Sequence, residues 1–201
     1  MNLGCGQLGT LQPTEKIKID SDFMLIPTCS SDLKGLLNAI NEKPEDIIHA
    51  MPWINKNKSI TSQITSFVLE SEIQNKQGEI HVWTIFCEQT NEVVGLIGVD
   101  SMTHQNGDFN FGYWVKYSFQ KQGVATKSIL KVLRWLSNVH KSKVIEITVN
   151  PQNISGLATC KHIIRKIGLD ENKFENSLIT HQEDEISYHT FIFPLEKINW
   201  G

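Results

Sequence analysis

The 201-residue chain has little of what marks a charged or membrane-bound partner. Basic side chains are not in excess. Nineteen Lys and Arg stand against 22 Asp and Glu, for a net charge of −3. A dedicated binder of DNA or of an anionic membrane normally shows a strong basic surplus, so neither nucleic acid nor a membrane is expected as a partner. Long apolar runs are missing as well. The longest, counting glycine, is Val93 to Val99, far short of the ~20 residues of a membrane helix. Met1 to Thr10 carries neither a basic n-region nor an apolar h-region, so no secretory signal is read there. Cysteine is sparse: Cys5, Cys29, Cys87 and Cys160 lack metal-type spacing, and the seven histidines form no HExxH. A cytoplasmic protein with free thiols and no metal is expected.

What remains is an ordinary globular composition, 40% hydrophobic and 20% charged. The length suits one domain over residues 1–201, read as a flexible leader over 1–16 and a core over 17–201. The leader contains Gly4-Cys5-Gly6-Gln7-Leu8-Gly9, which spells GxGxxG. That fingerprint binds dinucleotides only between a strand and a helix. Three residues precede Gly4, too few for a strand, and Pro13 interrupts the stretch after Gly9, so the dinucleotide reading is rejected.

Periodicity supplies the elements. Phe23 to Ile26 reads as a strand, and Leu33, Leu36, Leu37 and Ile40 as a helix. Pro44 starts a short helix, and Thr61 to Glu72 forms a third, capped by Thr61 or Ser62. His81–Glu88 and Val93–Asp100 form a hairpin around Thr90-Asn91, and Phe109–Val115 is the next strand. A long helix over about Gln122 to His140 carries the stripe Ala125, Ile129, Val132, Leu133 and Leu136. Val144–Val149 alternates, with Glu146 and Thr148 on the face opposite the apolar residues. A helix over Ser155–Ile167 ends at Gly168, and Tyr188–Phe193 is a last strand. The class is α+β, with a mixed, mostly antiparallel central sheet and helices on both faces.

Between the 109–115 strand and the long helix lies Gln120-Lys121-Gln122-Gly123-Val124-Ala125-Thr126. Glycine and alanine at a helix start let a ligand reach the backbone, and the unpaired amides there attract an anion such as a pyrophosphate. On its own the QxxGxA pattern also fits a plain loop before a helix.

The neighbouring segments decide between the two. Met51-Pro52-Trp53, Glu92-Val93-Val94-Gly95-Leu96-Ile97-Gly98, Gly112-Tyr113-Trp114-Val115, Gln122 to Thr126 and Val149-Asn150-Pro151-Gln152-Asn153 succeed one another in order. Together they resemble the GNAT superfamily of N-acetyltransferases, in particular the ribosomal-protein N-terminal acetyltransferases, over about Phe23 to Leu195. The resemblance implies acetyl-CoA as co-substrate. The 109–115 strand, including Trp114 and Val115, would lend backbone groups to the pantetheine arm. Gln120, Lys121, Gln122, Gly123, Val124, Ala125 and Thr126 would hold the pyrophosphate. Asn153 would contact the cofactor near its thioester, or serve only as a helix cap. The acceptor would be a protein N-terminus or a small-molecule amine such as a polyamine or an aminoglycoside, with Met51-Pro52-Trp53 at the acceptor cleft. A non-catalytic acyl-CoA-binding module is the third option, and a homodimer is left open.

The catalytic positions depart from that branch. Its usual Glu before GYW is Asn110 here, which cannot act as a base. Asp100 is the substitute, with Asp108 behind it, and a solvated-turn reading stands beside each. For the acid that protonates the thiolate, counting forward from Asn153 gives Ser155, whereas counting back from Gly168 gives Cys160. Ser155 rests on the firmer anchor, and Cys160 also reads as a buried structural cysteine. Lys127 could attract the 3′-phosphate of CoA or simply belong to a solvated face.

Overall fold

The computed structural model describes residues 12–198 and 200, apart from 106, 182 and 183. Eight strands form one sheet: β1 (Ile17–Lys18), β2 (Phe23–Pro27), β3 (His81–Cys87), β4 (Glu92–Asp100), β5 (Phe109–Val115), β6 (Val144–Val149), β7 (Glu175–His181) and β8 (Asp184–Pro194). Their order is β1-β2-β3-β4-β5-β6-β8-β7. Every neighbouring pair is antiparallel except β5–β6. A parallel pair needs a crossover, and α4 (Val124–Trp135), prolonged by a wider turn over Leu136–His140, supplies it.

Alternation along the strands feeds two cores. On one face α1 (Leu33–Ile40), α2 (Pro44–Ala50) and α3 (Ile60–Gln77) bury Leu36, Ile47 and Ile64 against Val82, Leu96 and Trp114. On the other, α4 and α5 (Ile154–Lys166) bury Ile129, Leu133 and Ile163 against Ile97, Phe111, Ile147 and Phe191. The mostly antiparallel α+β architecture is the expected one.

Local departures have local causes. The helix expected from Thr61 begins at Ile60, because the Ser59 side chain accepts the Ser62 amide at 3.2 Å. It runs on to Gln77 and stops at Gly78, whose φ is +75°. The helix expected from Gln122 begins at Val124, because Gly123 adopts φ +77° as its N-cap. β1 and β7 were not expected. Within the stretch read as a leader, Thr14 and Glu15 are tied to the core. Thr14 donates to Asn75 Oδ1 at 2.9 Å, and the Trp83 indole donates to the Glu15 carbonyl at 2.7 Å. The GxGxxG segment lies outside the described residues.

Two irregularities shape the middle of the sheet. Val94 is the extra residue of a β4 bulge, since Ile85 faces Gly95 while Phe86 faces Val93. The β5–β6 pairing covers only Phe109↔Ile145 and Asn110↔Glu146. Beyond Asn110 the two strands diverge and leave a V-shaped gap.

Candidate active site

That gap opens into a cavity of about 640 Å³. Its walls are the end of β5 (Tyr113, Trp114, Val115), the 119–126 loop and helix start, the first turns of α5, and α2 through Asp46, His49 and Ala50. The β5 wall offers main-chain groups. The Lys116 amide donates to Val94 O on the β4 side at 2.9 Å. By the two-residue alternation of a strand, the amides and carbonyls of Tyr113 and Val115 turn the other way, into the gap. The Val115 carbonyl accepts from Gln120 Nε2 at 3.1 Å.

The loop ends in a set of free donors. Lys121 (φ +60°) and Gly123 (φ +77°) hold left-handed conformations that turn the chain sharply into α4. The first-turn amides of Val124, Ala125 and Thr126 have no intrahelical acceptor, and no side chain among the described residues caps them. A Cβ placed on Gly123 would meet nothing within 4 Å, so the space beside the cradle is open. Such a cluster of amides with a helix dipole behind it attracts an anion.

Gln120, Lys121, Gly123, Val124, Ala125, Thr126, Asn153, Ser155, Trp114 and Val115 all line this cavity. Gln122 does not; its side chain turns back to the Ser118 carbonyl at 2.8 Å. Asn153 caps α5 by accepting the Gly156 amide at 2.9 Å, and Ser155 donates to the same Oδ1 at 3.0 Å. Ser155 is exposed and at the cavity, within the first turn after the cap.

The structure does not bring Cys160 there. It is fully buried among Ile163 and Ile164, and burial pushes its thiol up. Asp100 is also apart from the cavity wall. It faces Asn110, three residues beyond the Ile97–Tyr113 pair, or about 10 Å along the strand. Burial raises its carboxyl, while the Met102 amide donated to Oδ1 at 2.8 Å opposes that shift. Asp108 is spoken for, since its Oδ2 accepts the amides of Lys143 and Val144. Lys127 pairs with Asp20 at 2.7 Å.

Among the lining residues, His49 and His162 gave no sequence signal. The Tyr113 hydroxyl donates to the Gly156 carbonyl at 3.2 Å and ties β5 to α5 across the gap; burial raises its pKa. His49 and His162 come from opposite walls. The Trp114 indole N–H and Asn110 Oδ1 are buried without a hydrogen-bond partner among the described residues. Among the described residues no group of three or more His, Cys, Asp or Glu is placed to hold a metal, and no helix is long and apolar enough to cross a membrane.

A flexible chain of amides ending in phosphates fits these features. Its amides match the open β5 edge, and its anionic end matches the α4 cradle. The protein matches the acetyltransferase (GNAT) domain family over residues 22–169. No curated protein sequence matches it. Its fold is similar to that of the microcin C7 self-immunity acetyltransferase MccE, solved with acetyl-CoA and AMP. That protein is 19% identical, with a TM-score of 0.71 over 92% of this chain and 98% of that one. An acetyltransferase of Salmonella typhimurium that modifies the N-terminal serine of ribosomal protein L7/L12 is 16% identical, with a TM-score of 0.71 over 90% and 99%. A ribosomal-protein-S5-alanine acetyltransferase of Vibrio fischeri is 11% identical, with a TM-score of 0.70 over 92% and 99%. With the splayed strands, the uncapped helix start and the match over residues 22–169, the chain belongs to the GNAT acetyltransferase family, whose co-substrate is acetyl-CoA.

Proposed function

We propose that the protein transfers acetyl from acetyl-CoA to a primary amine, by direct attack while both substrates are bound, with a protein N-terminus as the acceptor. The observation that carries this reading is the free edge of β5 leading into the uncapped first turn of α4. The amides of Val124 to Thr126 hold the pyrophosphate. Backbone groups of Tyr113 and Val115 align the pantetheine arm, and an amide of this edge stabilises the oxyanion. The protein-N-terminus acceptor draws support from the folds it resembles, two of which act on ribosomal proteins.

The proton transfers fall to few groups. Ser155 turns its hydroxyl from Asn153 to the departing thiolate. Asp100, about 10 Å along the strand from the cavity wall, takes the amine proton only through a chain of waters, from the same sheet face as Asn110. Holding two substrates in line supplies much of the rate, so weak acid and base groups suffice. Asn110 in place of a carboxylate favours a second reading, a module that binds acetyl-CoA without turnover.

Thiol release from acetyl-CoA, followed across a panel of N-terminal peptides and small amines, separates these readings. Turnover with peptides supports the first. Turnover with polyamines or aminoglycosides alone moves the acceptor to small molecules. Tight binding of acetyl-CoA with no turnover on any amine selects the binding module.

A further inference from the structure

The cavity wall contains one acidic side chain among its described residues, Asp46 of α2. A carboxylate is an unexpected neighbour for an anionic co-substrate. Its oxygens are both engaged within the protein. Oδ1 accepts from Lys43 Nζ at 2.9 Å, and Oδ2 accepts from Gln120 Nε2 at 2.8 Å. The same Gln120 amide nitrogen also reaches the Val115 carbonyl at 3.1 Å. One side chain thus joins the end of β5, the start of the pyrophosphate loop and helix α2.

α2 has reason to need that tie. At seven residues it is too short to hold its own position, and tertiary contacts must fix it. Ile47 is fully buried and anchors one side. The other side is fastened to residues 117–120. Glu42 Oε2 accepts the Ser118 amide at 3.0 Å, Lys43 Nζ lies 4.7 Å from the Tyr117 ring centroid, and Asp46 meets Gln120. One turn beyond Asp46 come His49 and Ala50, which line the cavity, and then Met51-Pro52-Trp53.

From this geometry we infer that Asp46 is a positioning residue: through Gln120 it sets α2, and with it the acceptor wall, against the acetyl-CoA cradle. This rests on the acetyltransferase reading above. Because its oxygens are satisfied internally, Asp46 acts as a hydrogen-bond acceptor for the loop and not as a counter-ion for a cationic amine.

The test is a pair of variants, Asp46→Ala and Asp46→Asn, with steady-state kinetics and acetyl-CoA titration on the full chain. Asn keeps a carbonyl that can accept from Gln120. Loss of a hydrogen bond to a charged group predicts an acceptor KM raised about tenfold in Asp46→Ala, about threefold or less in Asp46→Asn, and an acetyl-CoA Kd within about twofold of wild type in both. An unchanged acceptor KM in Asp46→Ala overturns the proposal. So does an Asp46→Asn defect equal to that of Asp46→Ala, which would make the charge the active property, or a loss confined to acetyl-CoA affinity. Hydrogen exchange of the α2 amides in ligand-free protein needs no turnover and is read alongside. Exchange should quicken in Asp46→Ala and stay near wild type in Asp46→Asn. Equal exchange in all three proteins overturns the tie even if the acetyltransferase reading stands, and faster exchange in Asp46→Ala upholds it even if no acceptor is turned over. Should Asp46→Ala fail to fold, Gln120→Glu, which sets one carboxylate against the other, is expected to quicken α2 exchange in the same way, and unaltered exchange there counts against the tie.

Discussion

The two ends of β5 carry the same kind of backbone feature and treat it in opposite ways. Before Phe109, the loop after β4 gathers the amides of His104, Gln105 and Gly107 around one point. The protein fills that point itself, with the fully buried carboxylate of Glu146. After Val115, the amides of Val124 to Thr126 gather in the same manner, and no side chain among the described residues fills them. Clustered amides bind an anion wherever they occur. Where the chain provides the anion, the result is a fixed loop; where it does not, the result is a site. The vertex of the β5–β6 gap, at Asn110↔Glu146, is the boundary between the two regimes.

The sharpest way to break the closed end is to empty it. Glu146→Ala leaves three amides without their acceptor. Each buried donor left without its acceptor costs about 1–3 kcal/mol, so three cost about 3–5 kcal/mol once the loop relaxes toward water. We expect a loss near the middle of that range by denaturant unfolding, with acetyl-CoA affinity little changed in the folded fraction. Gly107 adds a steric check, because a Cβ there would lie 2.8 Å from Glu146 Cγ. A stable Glu146→Ala variant would show that the filled cluster is not what fixes the loop.

The open end is broken from the other direction, by filling it. Gly123→Val sets a β-branched side chain at φ +77°, where an L-residue is strained by roughly 1–2 kcal/mol. It also occupies the open space beside the amides. We expect acetyl-CoA affinity to fall about 100-fold, about 2.7 kcal/mol, so that the rise in Tm with acetyl-CoA disappears while the fold survives. An undiminished rise would take the cradle out of the site.

The closed end should also be the acid-sensitive one. His81, opposite Val99 in β3, is fully buried. Thr14 Oγ1 gives its proton to Asn75, so it accepts from His81 Nδ1 at 2.8 Å and leaves a buried Nε2 without a partner among the described residues. Trp83, Trp135, Phe109 and His140 surround the ring, and Glu15 binds the Trp135 indole nearby. Burial, then the neighbouring His140, lowers the His81 pKa from 6.5 to about 3; burial lowers His140 as well. Because the folded pKa is depressed, the unfolded chain takes the proton first. Stability is therefore full above about pH 6.5 and is lost as pH falls toward 3, at up to about 1.4 kcal/mol per unit. Between pH 6.5 and 5 we expect a loss of about 2 kcal/mol, flattened in His81→Phe. A slope unchanged by that substitution would assign the acid sensitivity elsewhere.

The sequence revealed the open end far better than the closed one. The cradle is local: Gly123 and Ala125 sit at a helix start after a strand, and that adjacency survives into the structure. Glu146 was legible only as a polar residue on the outer face of β6, because alternation cannot show that a distant loop covers that face. Asp46 and His49 reach the cavity from a segment some seventy residues away, and no spacing rule connects them to the loop. β7 escaped notice because its polar residues hide the alternation. Helical phase, by contrast, could have settled one ambiguity. Ser155, Ala158, Thr159 and His162 share the cavity face of α5, whereas Cys160, Ile163 and Ile164 share the buried one. Counting from either anchor ignored that phase.

The smallest expected effect comes from the two faces of α5. If Ser155 protonates the thiolate, Ser155→Ala should lower kcat with little change in KM for acetyl-CoA. General acids can supply 10²–10⁴-fold, but a thiol with an ordinary pKa near ~8.5 leaves without much help. About a tenfold loss is therefore expected, equal to about 1.4 kcal/mol. Among the described residues Ser155 holds only Asn153 Oδ1, which keeps its bond from the Gly156 amide, so the α5 cap should survive the change. Cys160→Ala probes the opposite face. It removes a fully buried sulfur and should cost about 1 kcal/mol of stability, visible in Tm, with kcat retained. Measuring kcat and Tm for both variants separates chemistry from packing on one helix. A kcat loss in Cys160→Ala, with Ser155→Ala unaffected, would place the acid on the buried face and undo the assignment. No kcat loss in either would leave solvent to protonate the thiolate, and the open end of β5 would then act by binding alone.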